Sequence, residues 1–149
     1  MELFEDFGSM VSPAQSYIPK DIRDAYASVL YCCANADKDI SDEELVSLAN
    51  SFINIPVFED YDEAEYLVLA EQNAANFTPL EILRGSFNYI KQHLRPKLFF
   101  YCCDIFLADG VISEEEKQTM EKIAEISGID EDTVKKIIEV AMIRNVKDE

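Results

Sequence analysis

Apolar residues recur along this chain at helical spacing, and helix-start signals separate the runs. Leu80, Leu83, Phe87, Ile90 and Leu94 fall on one face of a 3.6-residue repeat. Ile123 and Ile126 do the same. After a break at Ser-Gly-Ile-Asp (127–130), the pattern resumes with Val134, Ile137, Ile138 and Ala141. Ser12 and Thr78 are each followed by Pro at the first helical position and by Gln15 or Glu81 three residues after the cap. Ser41 with Glu44 and Ser113 with Glu116 read as capping boxes, in which the hydroxyl accepts from one orphan N–H and the Glu carboxylate accepts from another. Gly128 suits the residue just past a helix end, and Asp130 caps the next helix with acid in its first turn. Pro96 marks a helix boundary.

These signals predict helices over 12–17, 19–36, 41–54, 60–76, 79–94, 96–109, 113–127 and 130–146, the first of them short and marginal. The Pro-Val-Phe stretch at 56–58 is too short to count as a strand. The expected fold is all-α: a single compact bundle of about seven helices spanning 1–149, with residues 1–18 at its periphery.

A repeat lies inside this pattern. Tyr31-Cys32-Cys33 leads through Ala36-Asp37-Lys38-Asp39-Ile40 to Ser41 and Glu44. Tyr101-Cys102-Cys103 leads, with two extra residues, through Ala108-Asp109-Gly110-Val111-Ile112 to Ser113 and Glu116. Each copy reads as a helix, a tight acidic hinge and a capped helix, so two related helical hairpins are expected.

Composition narrows the function. The chain is 48% hydrophobic, enough for a real core, and its 4 Gly and 5 Pro are too few for a turn-rich β fold. Thirty acidic side chains against 13 basic ones give a net charge of −17, of which −12 lies in residues 1–66. Such a charge repels phosphate backbones and attracts cations and basic protein surfaces, so nucleic acid is not an expected partner. The acidic N-terminus has no apolar run of the signal-peptide kind, and the longest apolar stretch, Leu98–Ala108, contains Asp104 and is too short to span a bilayer. A cytoplasmic protein without direct membrane insertion is expected, with reduced cysteines.

The hinges are the candidate site. With Asp109 at position 5 of a calcium-binding EF-hand loop, Gly110, Ile112 and Glu116 fall at positions 6, 8 and 12, but Ile105 and Leu107 fall where ligands are required. In the first copy Lys38 replaces the glycine. An EF-hand is therefore excluded. A different oxygen site stays open: Asp104, Asp109 and Glu116 converging at one hinge, with Asp37, Asp39 and Glu44 at the other, around a hard divalent cation such as calcium or magnesium. So does a purely structural reading, in which Glu44 and Glu116 are capping residues and Asp37 and Asp109 are turn residues.

The stretch from Ala108 to Glu116, preceded by Asp104 and followed by Met120–Asp130, together with Ala36–Glu44, resembles the TerB-like family, associated with tellurite resistance and related stress systems. The resemblance covers roughly residues 20–146. It implies an all-helical, non-enzymatic protein with a metal-binding acidic cluster at Asp104, Asp109 and Glu116, and Asp37 and Glu44 in the first half. It also implies a protein partner, sometimes at the membrane. The first half departs from the pattern, with Cys32 where the second has Asp104 and Lys38 where it has Gly110.

Other features carry less. The adjacent cysteines point about 100° apart on a helix and lie among apolar neighbours, which suits core packing better than metal or redox work. His93 has no partner set for nucleophilic catalysis and lies near a predicted helix C-terminus, where it would meet the dipole. Phe58–Tyr66, acidic and carrying Tyr61, reads as a solvated helix start or, alternatively, as a surface for a basic partner. The favoured reading is a cation-binding helical module coupled to a protein partner. A metal-free adaptor is the runner-up, and a thiol-based detoxifying enzyme is the least supported.

Overall fold

The computed structural model describes residues 16–35, 41–108, 110, 112–146 and 148. Among them the secondary structure is entirely helical: α1 (Ile22–Ala34), α2 (Asp42–Ile53), α3 (Glu63–Asn76), α4 (Pro79–Tyr89), α5 (Arg95–Leu107), α6 (Glu114–Ser127) and α7 (Glu131–Arg144), with 3-10 turns at Pro56–Phe58 and Gln92–Leu94. The expected all-α class and the seven main helices are present. The marginal helix at 12–17 lies mostly outside the described residues, and Ser16 and Tyr17 are not helical.

The boundaries that differ have local causes. α1 starts at Ile22 rather than 19 because Asp21 is its cap, accepting the Asp24 N–H at 2.9 Å. α3 starts at Glu63 rather than 60 because Asp60 takes a left-handed backbone (φ 68°) and Asp62 supplies the cap. α4 ends at Tyr89 rather than 94, five residues short, where Ile90 turns extended and the chain passes through a 3-10 turn before Pro96 enters the first turn of α5. Gly128 ends α6 with φ +72°, and Asp130 caps α7, both as expected.

α1 is the hub. Its residues Asp24–Cys33 are all buried, and it packs against α2, α3, α4 and α5. α6 and α7 pack on α5, and α6 also on α4. One apolar core joins them, with Phe52, Phe87, Phe99, Leu83, Leu98 and Ile123 at its centre. The segment before α1 is part of this core: Tyr17 is 4% exposed and its ring meets Phe77 edge-on. Gly85 makes room for it, because a Cβ there would collide with the Tyr17 carbonyl. Tyr17 Oη donates to Ser28 Oγ, Ser28 donates to the buried Asp24, and Asn73 Nδ2 donates to both Ser28 and Asp24. This closed polar set ties α3 to α1 without leaving the Asp24 carboxylate bare.

Candidate functional site

The two capping boxes form as the spacing predicts. Ser41 Oγ accepts the Glu44 N–H at 3.1 Å while Glu44 Oε1 accepts the Ser41 N–H at 3.2 Å. At the second hinge both corresponding distances, Ser113 Oγ to Glu116 N and Glu116 Oε1 to Ser113 N, are 3.0 Å. Gly110 adopts φ +80°, which explains glycine in that hinge. Asp37, Asp39 and Asp109, half of the expected ligand set, lie outside the described residues.

The described members of that set share one space. Glu44, Asp104 and Glu116 all border a cavity of about 890 Å³, bounded by α2, α5, the start of α6 and the end of α7. The capped starts of α2 and α6 therefore border a common opening. Asp104 is already engaged there: its Oδ1 accepts from Asn145 Nδ2 at 2.8 Å and pairs with Arg144 Nε at 3.2 Å. Arg144 and Asn145 were not anticipated as site residues. They lie 40 and 41 positions from Asp104 in sequence, and only the packing of α7 on α5 brings them there. Among the described residues no three carboxylate, thiol or imidazole groups lie close enough to hold a metal ion. A complete coordination shell would need the hinge aspartates as well.

The cysteines are free and buried, as expected for core residues. The two pairs meet where α1 crosses α5. Contact with Cys102, together with burial, holds the Cys33 thiol well above its usual range, and burial does the same for Cys32 and Cys103. Because the thiolate is the reactive form, this disfavours thiol-based chemistry.

His93 lies exposed in the 3-10 turn before α5, not at the end of an α-helix. In the acidic stretch Phe58–Tyr66, Tyr66 in the first turns of α3 is buried and its hydroxyl donates to Asp21 at 2.9 Å, while the Arg23 guanidinium stacks 3.6 Å from the ring centre of Tyr61, which precedes α3. Both tyrosines thus serve to fasten α3 and the segment leading into it to α1. Among the described residues no helix is long and apolar enough to cross a membrane.

Comparison with curated proteins gives no match, and comparison with solved structures gives none. The family described as Tellurite resistance protein TerB matches residues 23–143, which runs from the first turn of α1 to the end of α7 and takes in both hinges. With an all-helical core and two capped acidic hinges inside that span, the chain belongs to the TerB tellurite-resistance family.

Proposed function

We propose that this chain is a non-catalytic module that binds a hard divalent cation, calcium or magnesium, between its two hinges and acts in a cytoplasmic stress response through a protein partner, in some settings one held at a membrane. The observation that carries the reading is the placement of Glu44, Asp104 and Glu116 around one cavity although they come from three different helices. Asp104, Asp109 and Glu116 would hold the ion, with Asp37, Asp39 and Glu44 facing it from the other hairpin. Carboxylate oxygens suit these cations, and a chain of net charge −17 attracts them. Arg144 holds the place of a cation beside Asp104, so an incoming ion would displace that guanidinium.

The second reading, a metal-free adaptor, draws on a specific observation too: Glu44 and Glu116 each already serve a capping box. Titration calorimetry with calcium and with magnesium separates the two. Saturable binding that Glu116→Gln weakens at least tenfold supports the ion. Gln still fills the capping box, so binding heats that are absent, or unchanged in that variant, leave the adaptor.

A further inference from the structure

The space between the hairpins is also a groove with two helical walls and an apolar floor. α2 packs on α1 and α3, whereas α6 and α7 pack on α5, and the opening lies between these two groups. Its apolar floor is the partly exposed Phe100 and Ile105, lying over the buried Leu30, Leu48 and Ile55. Its rim carries Glu44, Glu115, Glu116 and Asp104 against the cation Arg144, which is itself paired with Asp104.

We infer that this groove receives a basic amphipathic helix from a partner protein. The apolar floor takes the anchors at i, i+3, i+4 and i+7, and the carboxylate rim takes the flanking lysines and arginines. Strand addition has no template here, because the walls are helices whose backbone groups are paired within themselves. An acidic helix would face a rim of its own sign, and an uncharged one would leave the rim unanswered. The groove is present without any ion, so this inference names the partner in the reading above while standing apart from its cation.

The test uses the full chain in EDTA at physiological salt, with a fluorescent peptide carrying leucines at i, i+3, i+4 and i+7 flanked by arginines and lysines. Working without divalent cations separates its failure from failure of the cation reading. Ser47 is an exposed α2 residue on the groove wall, and Gln72 on α3 is exposed and outside it. Saturable binding is expected, with the peptide turning helical by circular dichroism. Ser47→Arg should weaken it at least tenfold, Gln72→Arg should change it less than about twofold despite the identical added charge, and Ser47→Ala should leave it unchanged. Replacing the peptide's leucines with serine should also cost at least tenfold. Equal weakening by Ser47→Arg and Gln72→Arg would reduce the effect to net charge and overturn the inference. So would an equally tight acidic peptide, or no saturation up to about 1 mM.

Discussion

The hairpins α1–α2 and α5–α6 open their second helices with the same Ser and Glu box, yet they anchor those helices differently. α6 buries Thr119, Met120, Ile123, Ala124 and Ser127 and ends on a left-handed glycine. α2 buries only Leu48 and Phe52, leaves Val46 and Ile53 each 61% exposed, and runs on into a 3-10 turn. The position five residues before the hinge aspartate is a buried cysteine, Cys32, in one hairpin and the paired carboxylate Asp104 in the other. A cap decides where a helix begins. What holds that helix in place is decided by its apolar face, and here the two copies have diverged.

The largest expected contrast is in the core. Large-to-small substitution of a buried aliphatic costs about 2–5 kcal/mol, depending on how well the site can relax. Ile123→Ala, at a fully buried α6 position, should fall in the upper half of that range. Leu48→Ala should fall near the bottom, because its side chain borders the open groove, where solvent can fill the space. Denaturant unfolding measures both, and equal costs would break the contrast.

Ion binding comes next. A cation at 100 times its Kd would stabilise the fold by about 2.7 kcal/mol. Melting in roughly 5–10 mM calcium or magnesium, enough for sites in the ~10⁻⁴–10⁻³ M range, with sodium at matched ionic strength as control, should show the gain. Glu116→Gln should abolish most of it and Glu44→Gln much less, because only the second hairpin has a carboxylate at the Asp104 position. Equal losses would make the two hinges equal partners in one site.

At Gly110, with φ +80°, alanine should cost about 1–2 kcal/mol through left-handed strain alone. Calorimetric melting with and without divalent cation tests it, and a neutral result would mean that the hinge adapts. Ser41→Ala and Ser113→Ala should each cost about 1 kcal/mol, nearly equally, since a capping box is local and indifferent to the depth of its helix.

The smallest expected effect concerns acid. α1 is capped by Asp21, whereas no side chain caps α5. Burial pushes the Asp21 carboxyl upward, but the Asp24 N–H, the Tyr66 hydroxyl and Arg23 outweigh it and hold the group below its ordinary value. Its folded form therefore binds protons less readily than its unfolded form. The stability it adds is complete above the ordinary aspartate range and fades as pH falls through the lowered value. Asp21→Asn should flatten that part of the acid limb in a pH-dependent unfolding series. An unchanged acid limb would place the sensitivity elsewhere.

Much of the fold was legible because its signals are local. The capping boxes at Ser41, Thr78 and Ser113, the Gly128 stop and the Asp130 cap all follow from residues within a few positions of one another. The Asp21 cap of α1 was not read from the sequence, which placed the helix start at residue 19. Of the candidate carboxylates only Glu44, Asp104 and Glu116 fall among the described residues, and they border one cavity. Arg144 and Asn145 reach Asp104 through the packing of α7 on α5, and no periodicity announces a contact across forty residues. The same holds for the meeting of Cys33 with Cys102: the repeat suggested that their helices are equivalent but not that they cross at the thiols.

The ten consecutive buried residues of α1 also bear on how the chain is made. α1 leaves the ribosome before any of the helices that cover it. Its last partner, α5, is complete only 73 residues later, at Leu107. At about 5–20 residues per second that interval is roughly 4–15 s. Through it the face of α1 that α5 covers stays open, so the nascent chain presents an apolar surface to holdase chaperones until α5 emerges.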